Sequence, residues 1–396
     1  MQKAAIHSHL ATAETQQSLR AALQDRRLSH LKVGEYGGGI AAAVDQYAEA
    51  ETPALLIVEA PKSLSVEGLL AHLGQLANRC SPQTAVLVIG WLNDVGLYRT
   101  LIDMGVADYF VQPTPPEALI PILHRLTAGD TNQPKGKVTV FLGAVGGAGV
   151  STLAFEHAQA LGQRAPDGVW LLDLDLAHGT QDLLADRPGR EAVRTSIQSP
   201  QRLDAGSLAR LAESSGPVRL LSAGGTLASS DLDPAMVQTL VGQLAQTAEN
   251  LVIDLPHLWL PWTQAVLKQA DRVVLVTRPT LAGFRNARNL IAALAGLRPF
   301  DPHPLLILNQ IAPRQAAQPF MKDLIKGLAP LTPALIADCA PALEKAQAAG
   351  KPLVVAAPSA SISKAAQALC GAGATKATSK PGLLAGLLRR LPGRAG

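Results

Sequence analysis

Two doubly wound parallel α/β domains in tandem are the fold that this sequence predicts, on three observations. Short apolar, β-branched runs alternate with amphipathic helical patterns over most of the chain, the pattern of strand–helix–strand units and parallel sheets. A stretch of turn formers, Ala128-Gly-Asp-Thr-Asn-Gln-Pro-Lys-Gly136, divides that alternation into a shorter and a longer part. Directly after it an apolar strand feeds a glycine-dense turn that opens a helix, an arrangement suited to holding an anion on backbone N–H groups.

The first part spans residues 1–128. Its strand candidates are Ala4-Ala-Ile-His7, Ala54–Val58, Thr84–Ile89 and Asp108–Val111, and helical patterns cover Val66–Leu76, Val95–Met104 and Pro116–Leu126. Residues 129–136 form the linker. The second part, 137–371, has strand candidates at Val138–Leu142, Val169–Leu172, Val218–Leu221, Asn250–Ile253, Arg272–Val276, Leu305–Leu308 and Leu353–Val355. Residues 186–216 fit this alternation less well and are expected to form a helix-containing excursion. Residues 372–396 read as a flexible tail. Within it Leu383, Leu384, Leu387, Leu388 and Leu391 fall at helical spacing beside Arg389, Arg390 and Arg394, a short basic amphipathic segment suited to a membrane surface or a partner protein.

The chemistry concentrates in the second part. Phe141-Leu-Gly-Ala-Val-Gly-Gly-Ala-Gly-Val-Ser-Thr152 has the shape of a phosphate loop, with Gly146, Gly147 and Gly149 free of side chains where backbone N–H groups must converge. A standard loop ends Gly-Lys-Ser/Thr; the Lys position is Val150 in this chain. Further on, Val169-Trp-Leu-Leu-Asp-Leu-Asp-Leu176 is an apolar strand ending in two carboxylates, Asp173 and Asp175, which two-residue alternation puts on one side. A third acidic strand end is Leu251-Val-Ile-Asp254. Carboxylates at strand ends beside a loop serine, Ser151, suit Mg²⁺ held partly through water. Two plainer readings stay open. One is a dinucleotide-binding turn, although Thr152 stands where its third glycine belongs; the other is a degenerate loop that binds nothing.

These motifs resemble those of the deviant-Walker ATPases of the MinD/ParA type. The family loop Lys-Gly-Gly-x-Gly-Lys-Ser/Thr-Thr aligns with Val145 to Thr152, its Asp-x-Asp strand end with Asp173 and Asp175, its third motif with Asp254-Leu-Pro256, and an Asn after a late strand with Asn309. The resemblance implies ATP and Mg²⁺ as ligands. Gly146, Gly147, Ala148, Gly149, Val150, Ser151 and Thr152 would surround the phosphates, Ser151 would ligate Mg²⁺, and Asp173 and Asp254 would lie near the metal. Asp175 would orient the attacking water and Asn309 would hold adenine. Both family lysines are valines, Val145 and Val150. Losing such a charge-assisted contact is expected to weaken binding by roughly 1.5–3 kcal/mol, and hydrolysis more, because the lysine neutralises transition-state charge.

The first part resembles a response-regulator receiver domain at Met104-Gly-Val-Ala-Asp-Tyr-Phe-Val-Gln-Pro113. The receiver's phosphorylated Asp, its Ser/Thr and its Lys correspond to Glu59, Gly90 and Gln112, and no acidic pair follows the first strand, so a degenerate receiver is expected. The combination resembles the CpaE/TadZ family of tight-adherence and Flp-type pilus assembly, and Ala346 to Ala366 matches the way its members close their ATPase domain. That implies a homodimer that marks an assembly site, often polar, for a secretion motor ATPase or inner-membrane assembly proteins. The other functional readings are an active partitioning or division-site ATPase switch and a nucleotide-free scaffold.

Composition agrees with a folded α/β protein: of 396 residues 47% are hydrophobic and 17% charged, while aromatics at 4% leave the cores to Leu, Val, Ile and Ala. A formal net charge of +4 without a basic stripe interleaved with aromatics predicts no nucleic-acid partner. Cys80, Cys339 and Cys370 are odd in number and in no CxxC pair, which predicts free thiols in a reducing compartment. No signal-peptide core and no apolar run of membrane-spanning length occurs, so a cytoplasmic protein is expected, with peripheral membrane contact left to residues 382–392.

Overall fold

The structure is a computed structural model that describes residues 6–28, 31–127, 136–165, 168–198, 203–224, 231–312, 315 and 319–371. The chain divides into two compact units, Met1–Asn132 and Gln133–Gly396. The expected linker, Gly136 apart, and the expected tail lie outside the described residues.

In the first unit β1 (Ile6–Leu10), β2 (Val33–Gly37), β3 (Leu55–Glu59), β4 (Ala85–Gly90) and β5 (Asp108–Val111) form one parallel sheet in the order β2-β1-β3-β4-β5. Central β3 is buried throughout, which is why it reads as an unbroken apolar run. Helices Ala13–Ala22 and Pro116–Thr127 pack together, as do Gly39–Gln46 and Val66–Ala77. Thr12, Ser65 and Asp94 cap three helices with side-chain acceptors. The sequence patterns miss β2, a mostly exposed edge strand with two glycines and a glutamate among its residues.

Glu59, at the carboxyl end of β3, is fully buried. Its Oε2 accepts from the N–H groups of Ala11 and Thr12 at 2.7 and 3.0 Å. Its Oε1 accepts from the hydroxyls of Thr12 and Thr15 at 2.7 and 3.1 Å and from Gln112 Nε2 at 2.5 Å. Where a receiver would hold metal and phosphate, this unit holds a carboxylate whose acceptors are saturated by its own chain. At Gly90 a Cβ would stand 2.5 Å from the Tyr109 hydroxyl, so the space for a Ser or Thr side chain is already filled.

The second unit contains β6 (Lys137–Gly143), β7 (Val169–Asp173), β8 (Glu213–Ser215), β9 (Val218–Leu221), β10 (Asn250–Leu255), β11 (Arg272–Thr277), β12 (Leu305–Ile311) and β13 (Ala334–Ala337). They make a sheet in the order β13-β12-β11-β6-β10-β7-β9-β8, parallel except for the β8–β9 pair. Residues 186–216 contain the helices Ala192–Gln198 and Ala205–Leu211 before edge strand β8. The strand expected at Leu353–Val355 is instead a helical turn, Leu353–Ala356. Its reason is electrostatic. The buried Glu156 carboxylate accepts from the N–H groups of Leu353 and Val354, both at 2.8 Å, and so caps the turn.

Two outcomes test the reading of Glu59. Glu59→Ala should orphan several buried donors at once and destabilise the first unit by about 3 kcal/mol in urea unfolding. Incubation with acetyl phosphate should leave the intact mass of the protein unchanged.

Candidate functional site

Strand register builds the site before any side chain is considered. β10 lies between β6 and β7, and its Asp254 pairs in register with Phe141 on one side and Asp173 on the other. Two carboxylates therefore stand side by side at the carboxyl ends of neighbouring strands, next to the loop that leaves β6, which is where open α/β sheets bind ligands.

The loop runs from Ala144 to Gly149, and helix Val150–Gly162 begins directly after it. Gly147 and Gly149 have φ of +67° and +83°, values that favour glycine. A Cβ on Gly149 would also lie 2.5 Å from Asn309 Nδ2. Two residues at the end of β12 hold the loop from behind: Asn309 Nδ2 donates to the Ala148 carbonyl at 2.8 Å, and Gln310 Nε2 to the Gly147 carbonyl at 3.1 Å. In a trans peptide the next N–H points opposite to the carbonyl, so the N–H groups of Ala148 and Gly149 face away from β12. Among the described residues the N–H groups from Val145 to Gly149 have no protein acceptor. A row of free donors at a helix N-terminus suits phosphate.

Val150 does not take the place of a lysine in that row. Its Cγ2 would stand 2.8 Å from a Cβ on Gly143, and its side chain, like that of Val145, packs onto the core cluster containing Phe141 and Leu153. Both valines are half-buried, and the loop has no cation of its own.

On the other flank Gln181, fully buried, ties the acidic groups together. Its Nε2 donates to Asp254 Oδ2 at 2.8 Å and to the Ser151 carbonyl at 3.0 Å, while its backbone N–H donates to Asp173 Oδ2 at 3.3 Å. Asp173 Oδ1 accepts from the Asp175 N–H at 3.0 Å. Burial, then the Asp254 charge, raises the Asp173 carboxyl well above the usual carboxylate range. Burial pushes Asp254 up to about 6, against the hydrogen bonds from Gln181 and Ser151. Asp175 lies beyond the end of β7 and is half-buried; its carboxylate caps the following turn by accepting from the His178 N–H at 2.9 Å.

The structure thus brings Ser151, Asp173 and Asp254 together, sets Asp175 beside them, and places Asn309 behind the loop. Asn309 Oδ1 and Gln181 Oε1 are buried without a hydrogen-bond partner. Gln181 carries no sequence signal, since a polar residue opening the four-residue helix Gln181–Leu184 has no periodicity to mark it. His157 is a core residue: Nδ1 meets the Ala366 carbonyl at 3.1 Å, Nε2 meets Arg272 at 3.3 Å, and burial pushes its pKa down to about 3. The apolar stretch after β10 divides, Trp262 entering the core and Trp259 staying 40% exposed.

Mg²⁺ and a nucleotide fit these groups. Two adjoining buried carboxylates, with few donors between them, gain from a cation. Among the described residues no cluster of three or more His, Cys, Asp or Glu could hold a metal alone. Two carboxylates and a hydroxyl are a set that Mg²⁺ completes with phosphate and water.

The raised carboxyl pKa values give a signed prediction. A folded pKa above the unfolded value adds stability at low pH that is lost as pH rises through about 6. Ligand-free protein should therefore unfold at lower temperature at pH 7.5 than at pH 5. Asp254→Asn should flatten that slope and raise the melting midpoint at pH 7.5 by a few degrees, read by scanning fluorimetry.

Comparison with known proteins adds a family to this geometry. No family model matches the chain, and no curated protein does. A ParA family ATPase from Chlorobium tepidum is 20% identical over 59% of this chain and 98% of its own, with a TM-score of 0.53, which establishes the shared fold. The pilus assembly protein CpaE of Caulobacter crescentus is 38% identical over 31% of this chain and 98% of its own, with a TM-score of 0.30. A Sinorhizobium meliloti protein proposed to be a CpaE2 pilus assembly protein is 34% identical over 31% of this chain and 99% of its own, with a TM-score of 0.29. Sequence identity over 98% and 99% of these two proteins, matched by 31% of this chain, and not the superposition, carries the assignment: the chain belongs to the CpaE family of pilus assembly proteins.

Proposed function

We propose that this protein binds Mg-ATP at the β6 loop and serves as an assembly factor that localises a Flp/Tad-type pilus machine, with little or no hydrolysis. The observation that carries the reading is the pairing of a loop of free N–H donors and a buried acid pair with two half-buried valines, packed on the core, at the positions of the family lysines. Binding draws on the free N–H groups and the metal, whereas turnover also needs charge neutralisation at the γ-phosphate, which neither valine supplies. In this reading Ser151 ligates Mg²⁺, Asp173 and Asp254 hold its water shell and Asp175 faces the γ-phosphate, while Asn309 braces the loop from behind. Mg²⁺ neutralises phosphate charge when bound.

The nucleotide face also supports a homodimer. Leu183, Trp259 and Leu281, in the segments that follow β7, β10 and β11, are 72%, 40% and 67% exposed, apolar side chains left in the segments that leave the carboxyl ends of these strands. The first unit, with Glu59 saturated, would act as a docking module. Residues 382–392 would provide peripheral membrane contact or reach inner-membrane assembly proteins or the motor ATPase.

Size exclusion with light scattering is expected to show a shift from monomer toward dimer on adding Mg-ATP, while phosphate release stays at background and Asp175→Ala leaves it there. Turnover well above background that Asp175→Ala abolishes would instead establish a switch ATPase. A mass indifferent to nucleotide would establish a scaffold.

A further inference from the structure

We propose that Arg278 supplies, from outside the loop, the positive charge that the loop lacks, and is the phosphate-contacting cation of this site. The proposal rests on the nucleotide-site reading above and adds a residue to it.

Arg278 is the residue after β11, the strand that flanks β6 on the side away from the acids; Val276 pairs with Gly143, and the Ala144 N–H donates to the Val276 carbonyl at 2.8 Å. From there its side chain reaches the glycine turn. Arg278 Nη1 lies 3.9 Å from the position a Cβ on Gly147 would take, so the guanidinium stands over the middle of the loop. Arg278 is exposed, and among the described residues its side chain has no ion pair or hydrogen bond. Other arginines nearby are held: Arg272 donates to the Leu369 carbonyl, Arg298 pairs with Asp301, and Arg285 bonds Asn286.

The arrangement is two-sided. Asp173 and Asp254, with the metal they suit, lie toward β10 and β7, while Arg278 approaches from β11. A phosphate chain on the loop N–H groups would have Mg²⁺ on one flank and a planar guanidinium on the other. Guanidinium donors match phosphate oxygens in pairs, and a charge-assisted bond of this kind is among the strongest polar contacts available. Relocating the cation also accounts for the half-buried valines: Val145 and Val150 are free to serve the core because the charge comes from a neighbouring strand.

The test is the affinity of the full chain for a fluorescent ATP analogue with Mg²⁺, measured for the wild type, Arg278→Gln and Arg278→Lys. Arg278→Gln keeps most of the reach without the charge and should bind about ten-fold more weakly or worse, while Arg278→Lys should recover a large part of the loss. Melting midpoints of the ligand-free proteins should agree, because the side chain is exposed and unpaired. If Arg278→Gln binds within two-fold of wild type, or loses affinity together with several degrees of melting midpoint, Arg278 is not a phosphate partner and the nucleotide site stands without it. If the wild type fails to bind at millimolar analogue, the nucleotide-site reading falls, and Arg278 with it.

Discussion

The insertion of β10 between β6 and β7 is the constraint on which the second unit's site depends. Because Asp254 pairs in register with both Phe141 and Asp173, two carboxylates are forced into adjacency in a water-poor setting. One residue of slip would turn Asp254 to the opposite face of the sheet and scatter the acids. The core guards against that slip, since alternate residues of β10 enter apolar clusters on opposite faces. Burial then raises both carboxyl pKa values, so the fold carries an electrostatic cost that a cation would relieve. Gln181 softens the cost with one amide donor and bridges the acids to the helix that begins at Val150.

The loop depends on the same sheet. Asn309 and Gln310, at the end of β12, pull two loop carbonyls backward and so turn the following N–H groups outward, which keeps a phosphate-shaped cradle without a lysine to brace it. The two units share a theme. In the first, a buried glutamate at the carboxyl end of β3 takes five donors from its own unit; in the second, Val145 and Val150 of the loop pack against the core. In both, side chains at the carboxyl end of a parallel strand are held by contacts within their own unit.

Much of this could be read from the sequence because parallel strands buried on both faces are written as unbroken Val, Ile and Leu runs. Val218–Leu221 and Asp108–Val111 fall where the pattern put them, and Asp173 and Asp254 end their strands as expected in outline. Elements that failed did so for physical reasons. β2, β8 and β13 are short or edge strands with polar or small residues, and their pairing is decided by neighbours distant in sequence. Leu353–Val355 is apolar enough for a strand, but Glu156, far away in the chain, caps it into a helical turn. Gln181 and Arg278 carry no motif, and their meaning lies wholly in which loops the sheet brings to one edge.

A crystal structure of the full chain grown with Mg²⁺ and a non-hydrolysable ATP analogue tests whether the lysine-free loop holds a triphosphate. β- and γ-phosphate density is expected on the N–H groups of Ala148 and Gly149, with a metal beside Ser151 and Asp254. An empty loop at saturating analogue, or a nucleotide bound elsewhere on the chain, would contradict it.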